Sequence, residues 1–437
     1  MKKTIVLLGV GSTYFTKGIV ESLIHHKGEW DLRMVDPEPH CLDIAMRLGK
    51  RLVEKHEAPI TLTGSTDRTD LLAGADAVVS TIGVGGRKAW AKDMLMFREF
   101  GIFQTTGDTY GAGGVSRALR TVPVLVSVVK DMERLCPSAI LFNFSNPMTV
   151  NCQALGQVSK IKTVGLCYGI TYFQHFLANF IDVPFEATWA KAIGTNHFSW
   201  ITDFRHEGRD AWPRVYDKMK EKTSIVAGNP HTWELFETFG AFPVVGDGHI
   251  CEFIPGFLGE GAYYGKTVGV DALHNAVEYL KHWDDVFADM EAQAYGLKDL
   301  DPLPDISNAN VFRDEDLFID VLTASMGEKS VERTVNLPNA GQVSSLPLGA
   351  VLEGTTLVNG AGFHPLTYGE LPKGINAILM RVLGAQALTA EAALKADRKL
   401  VVQSLMADLT AIRKADAEKI TDCILETHRE YLPAFHR

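Results

Sequence analysis

Residues 4–15 read TIVLLGVGSTYF, an aliphatic, partly β-branched run that stops at Gly9 and Gly11. A short run of this kind suits a strand buried on both faces, as in parallel sheets. The two glycines allow a tight turn and a close backbone approach to a pyrophosphate. A helix opening near Ser12 would present free N–H groups and the positive end of its dipole to that ligand. The third glycine of the usual dinucleotide fingerprint is missing, because position 14 is Tyr14 and the next glycine is Gly18. On spacing alone the stretch is as compatible with an ordinary glycine turn as with a phosphate cradle.

The residues that follow favour the cradle. A second apolar run, DLRMVD, ends at Asp36, 25 residues beyond Gly11. A carboxylate there would accept hydrogen bonds from the adenosine ribose hydroxyls and repel a 2′-phosphate, favouring NAD over NADP; the alternative is a solvated strand-end aspartate. ADAVVSTIGVGG (75–86) supplies a third core strand ending at Gly83, Gly85 and Gly86, and SAILFNFSNPM (138–148) a later one ending at Asn143 and Asn146. Ligands of open α/β sheets lie beyond the carboxyl ends of their strands. The expected fold is therefore α/β, with a Rossmann-like, doubly wound NAD-binding domain over 1–165. A mixed α+β domain over 166–437 would carry catalysis, substrate binding and oligomer contacts. Gly107, Gly111, Gly113 and Gly114 fall in one loop before a helical stretch, GGVSRALRTVPVL, so the loop is expected to approach a ligand with its backbone.

Composition bounds the function. With 46% hydrophobic and 22% charged residues over 437 positions, the chain reads as a globular protein of two domains. No uncharged apolar run approaches about 18 residues, and MKKTIVLLGVG passes too soon into a glycine turn to be a signal peptide. No membrane and a cytoplasmic location are expected. The six cysteines (41, 136, 152, 167, 251, 423) lack the pairing of a disulfide framework or a structural zinc cluster. The formal net charge of −10 is dispersed without a basic block, so nucleic acid is not an expected partner.

The second half offers scattered polar groups. Cys167 closes an apolar run in KTVGLCYG, where a lone cysteine is commonly core filler. His197, 30 residues on in GTNHFSW, also ends an apolar segment beside Asn196. Thiolate and imidazole together suit a first-row transition metal, though a satisfied core histidine is the plainer reading. GDGHICEF (246–253) clusters Asp247, His249 and Glu252 as an outer metal shell, a general base or an exposed turn. Asn336, Asn339 and Gln342 are neutral candidates for sugar hydroxyls, and the Ala- and Leu-rich helical stretch after residue 376 is expected to pack and to join copies of the chain.

Taken in order, G-x-G-S, GDTYGAGG, NPMTV, the cysteine after an apolar strand, GTNHFSW, GDGHICEF and NLPNAGQV resemble the NAD-dependent glycoside hydrolases of family 4, from about residue 4 to beyond 380. That family departs from the two-carboxylate glycosidase mechanism. The resemblance implies that bound NAD oxidises the sugar 3-hydroxyl, which acidifies the C2 proton. A base removes that proton while a divalent metal, usually Mn2+, stabilises the enediolate. The aglycone then leaves by elimination, water adds, and NADH returns the hydride.

Carried over, Cys167 and His197 match the metal ligands and Asp247 a position associated with the base. Gly9, Gly11, Ser12, Asp36, Gly83 and Asn143 match the cofactor side, and Asn146, Asn196, Arg87 and His249 the substrate side. Two positions depart from the family. Tyr168 follows the cysteine where His, Asp or Asn is common, leaving acid, base and shape determinant open for its phenol. Trp90 stands where members acting on 6-phosphosugars carry an arginine, so a non-phosphorylated α-glycoside or α-uronide is implied, with Arg87 and Lys88 near enough in sequence to meet a carboxylate or sulfonate. A homodimer or homotetramer is expected. The competing readings are a plain NAD-dependent dehydrogenase of a sugar or hydroxy acid, for which His197 or His249 would serve as base, and a non-catalytic cofactor sensor.

Overall fold

A computed structural model describes residues 2–254, 256–258, 272–305, 313–408 and 412–437. Strands β1 (Lys3–Leu8), β2 (Trp30–Val35), β3 (Ile60–Ser65), β4 (Ala77–Ser80), β5 (Ile140–Asn143) and β6 (Thr163–Gly165) pair in parallel in the order β3-β2-β1-β4-β5-β6. This is the doubly wound dinucleotide-binding order. β4 is buried along its whole length, as expected for a strand covered on both faces. Helices α1 (Thr16–His26), α2 (Pro39–Lys55), α3 (Gly86–Leu95), α4 (Gly111–Leu135) and α5 (Met148–Val158) make or join the crossovers. α2 opens with Pro39 at its first turn, where a missing N–H costs nothing.

Beyond β6 the sheet continues without a break and pairing becomes antiparallel. β7 (Thr188–Thr195), β8 (Phe198–His206), β9 (Arg209–Asp210), β10 (Phe242–Val244), β11 (Val331–Pro338), β12 (Val351–Asn359) and β13 (Gly362–Pro365) extend it in the order β6-β11-β12-β7-β8-β10, with β9 on β8 and β13 on β12. The two sequence halves thus share one 13-stranded sheet. A cross-strand row, Gly165–Asn336–Glu353–Gly194, connects the end of β6 to the end of β7. The core also crosses the boundary: Leu317, Phe318, Val321 and Leu322, from the second half, are buried with Ile5, Leu7, Ile19 and Phe142 of the first.

The helix over Lys373–Lys395 and α4 are long and apolar enough to cross a membrane, but 50% and 72% of their apolar windows are buried inside the protein. α4 also shows why its loop is glycine-rich. A Cβ on Gly113 would lie 2.5 Å from the Gly107 carbonyl oxygen, and one on Gly114 2.7 Å from the Thr109 carbonyl carbon. The 107–114 backbone folds back on itself too tightly for side chains there.

Candidate active site

The parallel strands deliver their carboxyl ends to one edge of the sheet. After β1, Gly9 takes φ +88, and a Cβ there would lie 3.2 Å from Ile82. The Gly11 N–H donates to Asp36 Oδ2 (2.8 Å), and Asp36 Oδ1 accepts from the Glu38 N–H (3.0 Å). Asp36 therefore ties the first glycine turn to the end of β2. Burial raises its pKa, and the two backbone N–H groups pull it back. Ser12 does not open the helix, as the glycine pattern led us to expect. α1 begins at Thr16, and Ser12 Oγ accepts from the Phe15 N–H (3.2 Å) across the intervening turn. Gly83 is exposed beyond β4, with an Arg117 Nη2 3.7 Å from where its Cβ would be.

The polar centre forms around the 104–110 loop. Asn146 Nδ2 donates to Asp108 Oδ2 (2.9 Å), and the Thr109 hydroxyl donates to Asp108 Oδ1 (2.6 Å). Thr109 Oγ1 also lies 2.8 Å from His197 Nδ1. A hydroxyl has one proton, and here the carboxylate takes it, so Oγ1 must accept from a protonated Nδ1. The lone pair of His197 is thereby left on Nε2, the tautomer a metal ligand needs. His197 itself sits in the left-handed region (φ +66) in the β7–β8 turn, and the His249 ring packs against it at 4.0 Å between centroids.

One donor atom each from Asp108, His197 and His249 lies within 4.8 Å of the others. A carboxylate and two imidazoles at that spread fit a divalent first-row cation, which would draw them together by a fraction of an ångström to bonds of about 2.1 Å. Burial alone would raise the Asp108 pKa, but His249, Arg117, His197 and the Thr109 hydroxyl outweigh it and the net shift is downward; with the imidazoles neutral, Arg117 and the Thr109 hydroxyl are what favour the carboxylate. Burial lowers the pKa of both His197 and His249. The electrostatics therefore favour neutral imidazoles beside a carboxylate. The loop is clamped from behind: Thr106 and Gly107 N–H groups donate to Glu252 Oε1 (2.8 and 2.7 Å), the Thr105 and Thr106 hydroxyls donate to the Gly248 carbonyl, and Trp90 Nε1 donates to the Thr106 carbonyl (2.7 Å).

The remaining sequence candidates fall in several places. Cys167 Sγ does not come within 4.8 Å of all three donors; it accepts from the Gly169 N–H (3.5 Å) and packs in a cluster with Met148, Cys152 and Val351. Tyr168 follows at the start of α6 (Gly169–Phe180). That corner touches the 245–252 turn, since a Cβ on Gly169 would fall 2.0 Å from Val245 Cγ1. Asp247 is turned into a helix cap: its carboxylate accepts from the His231 N–H, the Thr232 N–H and the Thr232 hydroxyl (3.0, 2.7 and 2.5 Å) at the start of the helix Pro230–Phe239. Arg87 pairs with Asp284 (2.8 Å) and lies over Phe287, so its charge is already answered. Asn143 and Asn196 are 0% exposed. Asn143 folds the β5 turn through the Ser145 backbone, and Asn196 donates to the buried carboxylate of Glu353 (3.0 Å), which also accepts from Ser199 and Asn336. These two amides shape the backbone that presents Asn146 and His197.

Asp108 and Thr109 are the members of this polar cluster that the sequence alone did not single out. The signal was present, a carboxylate and a hydroxyl inside a four-glycine loop, but nothing local pairs them with His197, 88 residues from Thr109.

Comparison with known proteins bears on this arrangement. The model of the family 4 glycosyl hydrolases matches residues 4–183, and that of the family 4 glycosyl hydrolase C-terminal domain matches 192–411. An α-galactosidase of Bacillus subtilis is 25% identical over 99% of this chain and 100% of its own length, and an α-galacturonidase of Thermoanaerobacterium saccharolyticum is 28% identical over 83% and 81%. A 6-phospho-α-glucosidase from gut microorganisms, solved in complex with NAD and Mn2+, superposes with a TM-score of 0.85 at 18% identity, covering 99% of both chains, and shares the fold. With matches to both family models spanning nearly its whole length, and an α/β sheet in the dinucleotide-binding order carrying the polar centre at its edge, the chain belongs to the family 4 glycosyl hydrolases.

Proposed function

We propose that the protein cleaves a non-phosphorylated α-glycoside, an α-galactoside or α-glucoside or the corresponding α-uronide, with NAD and a divalent cation such as Mn2+ as cofactors. The observation that carries this reading is the hydrogen-bond chain Asn146–Asp108–Thr109–His197, which leaves His197 Nε2 free beside an ionised carboxylate and a second imidazole. A simple hydride-transfer site has no need of that donor set. When bound, NAD supplies a reversible hydride acceptor for the sugar, and the cation supplies Lewis acidity at the sugar oxygens.

The chain's own residues do the rest. Gly9 and Gly11 leave room for a pyrophosphate, and Asp36 still has lone pairs for ribose hydroxyls after accepting two backbone N–H groups. Asp108, His197 and His249 are the donors assigned to the cation, with Cys167 at the border of the site. Asn146 Oδ1 is buried and has no hydrogen-bond partner among the described residues, so it can accept from a sugar hydroxyl. We assign proton transfer at the glycosidic or C2 position to the Tyr168 Oη. Asp247, as a cap, acts by positioning the 247–252 turn.

Two features support a sugar without phosphate. Trp90 spends its indole N–H on the catalytic loop, and Arg87 is already paired, so neither offers a phosphate clamp. Arg117, whose Nε donates to the Asn146 carbonyl (3.2 Å), is a cation that a uronide carboxylate would meet. The names of the α-galactosidase and α-galacturonidase relatives point the same way. Assembly into a homodimer or homotetramer is part of the proposal, supported by Met380 and Met406, 44% and 43% exposed on neighbouring helices.

The test is a panel of nitrophenyl α-galactoside, α-glucoside, α-galacturonide, α-glucuronide and their 6-phosphorylated counterparts, with NAD and Mn2+, in deuterated water. Turnover of a non-phosphorylated member, with deuterium at C2 of the released sugar, is expected. Turnover confined to the 6-phosphates overturns the substrate reading. Net accumulation of NADH without release of nitrophenol overturns the glycosidase.

A further inference from the structure

The helix Ala272–Ala294 passes over the carboxyl edge of the parallel strands where the strand order reverses. β1 turns its side chains alternately to two faces. Ile5 and Leu7 pack with Ile44 and Leu48 of α2, and Val6 and Leu8 with Leu125 and Val128 of α4. α2 and the β4–β5 crossover, which α3 opens, therefore belong to opposite faces of the sheet, as right-handed crossovers running in opposite directions require. The turns leaving β1, β2 and β4 frame the crevice between them, where a dinucleotide lies in such sheets.

One stripe of the helix reaches all three turns. Trp283, Phe287 and Glu291 recur every fourth residue and so share a face. Trp283 meets Tyr14, beyond β1, edge-on at 5.7 Å between ring centroids. Phe287 stands between the two sides of the crevice. Its ring centre is 6.4 Å from that of His40, in the first turn of α2, and 5.3 Å from the Arg87 guanidinium, in the first turn of α3. Glu291 Oε1 lies 3.1 Å from His40 Nε2, and Asp284 pairs with Arg87 (2.8 Å). The helix thus bridges the sheet edge at which Gly11 donates to Asp36.

Its two ends are held differently. Met290 and Ala294 are buried in the core with β1 and α2. Asp284 and His40 are exposed, and ion pairs and ring contacts in such places are individually weak. We propose that this helix is a strap across the adenosine end of the cofactor crevice, and that a dinucleotide enters and leaves when the Trp283–Phe287–Glu291 stripe lifts. The strap presupposes the NAD site proposed above. In that reaction the hydride taken from the sugar is returned to it, so every turnover regenerates NAD and a cover that slows exchange costs no rate. The strap makes the dinucleotide a retained cofactor rather than a co-substrate.

The test is NADH exchange on the full chain without sugar or metal, followed by nucleotide fluorescence in rapid mixing. Wild type is compared with Phe287→Ala, with the double variant Asp284→Asn, Glu291→Gln, and with Asp285→Asn, which alters an exposed side chain paired only within the helix to Lys281 among the described residues. Circular dichroism checks that each is folded. Phe287→Ala and the double variant each remove contacts of the closed strap, so the open fraction rises. Both should raise the association and the dissociation rate constants together, by about tenfold, with affinity little changed. Asp285→Asn should match the wild type. Loss of a mere contact with the nucleotide would speed dissociation alone. Unchanged exchange in the stripe variants, or faster dissociation with unchanged association, overturns the strap. A wild type that binds no NADH overturns the cofactor reading beneath it.

Discussion

Replacing Thr109 by valine tests the centre at one atom. The side chain is 2% exposed, and valine keeps its shape while removing the oxygen that donates to Asp108 Oδ1 (2.6 Å) and meets His197 Nδ1 (2.8 Å). The lost bond to an ionised carboxylate is worth about 1.5–3 kcal/mol, and the His197 Nδ1–H is left without its acceptor. The imidazole is then free to rotate or to move its proton to Nε2. Groups that orient a metal-binding histidine in this way typically contribute 10–100-fold to metal affinity, or about 1.4–2.7 kcal/mol. Thr109→Val should raise the Mn2+ dissociation constant by that factor, read by electron paramagnetic resonance of free Mn2+, with no substrate present. Thr109→Ser keeps the hydroxyl and should bind within about threefold of wild type, since it retains both hydrogen bonds. Equal Mn2+ affinity in the wild type and Thr109→Val, both folded by circular dichroism, would refute the tautomer assignment and the donor set built on it.

Asp36→Ala should weaken NAD binding by about 1–3 kcal/mol, followed by fluorescence titration; unchanged affinity would mean that the ribose is not read there. Arg120→Met leaves the Asp93 carboxylate, 0% exposed, with only Ser116 and His428 among the described residues and should cost about 3–5 kcal/mol in urea unfolding; a smaller loss would show that water reaches the network. Burial would raise the Asp93 pKa, but His428 and Arg120 outweigh it and the net shift is downward. Its contribution is therefore complete above the ordinary carboxyl pKa of 3.8 and disappears as pH falls through the lower folded value. Burial pushes Glu252 up to about 8, so the folded state holds a proton that the unfolded state releases above 4.5. The stability of wild type relative to Glu252→Gln should fall as pH rises from 4.5 to about 8 and level off beyond; a flat difference would show that Glu252 is ionised while it holds the Thr106 and Gly107 N–H groups.

The doubly wound half was legible because its signals are local. A glycine turn follows directly on a buried strand in TIVLLGVG, and Asp36 follows directly on β2, so neighbouring residues alone predict both the turn and the acid that holds it. The glycine loop was legible for the same reason, since four glycines in eight residues mark a backbone with no room for side chains. Less was visible where a side chain's partner lies far along the chain. Asp247 looks like a base in GDGH, yet the start of a helix at Pro230 claims its oxygens. Arg87 looks like a free anion receptor, yet Asp284 neutralises it from 197 residues away.

By itself, the order of short apolar runs, glycine turns and strand-end polar residues determined the dinucleotide-binding half and the two segments that bear His197 and His249. Strand formation and tight turns are settled by neighbouring residues, through burial and backbone sterics. Tertiary structure alone brought Asp108 and Thr109 to those histidines and turned the Asp247 carboxylate to the start of a helix. A hydrogen bond is made by whichever donor the packed sheet and its crossovers bring to an acceptor, and sequence spacing carries no record of that meeting.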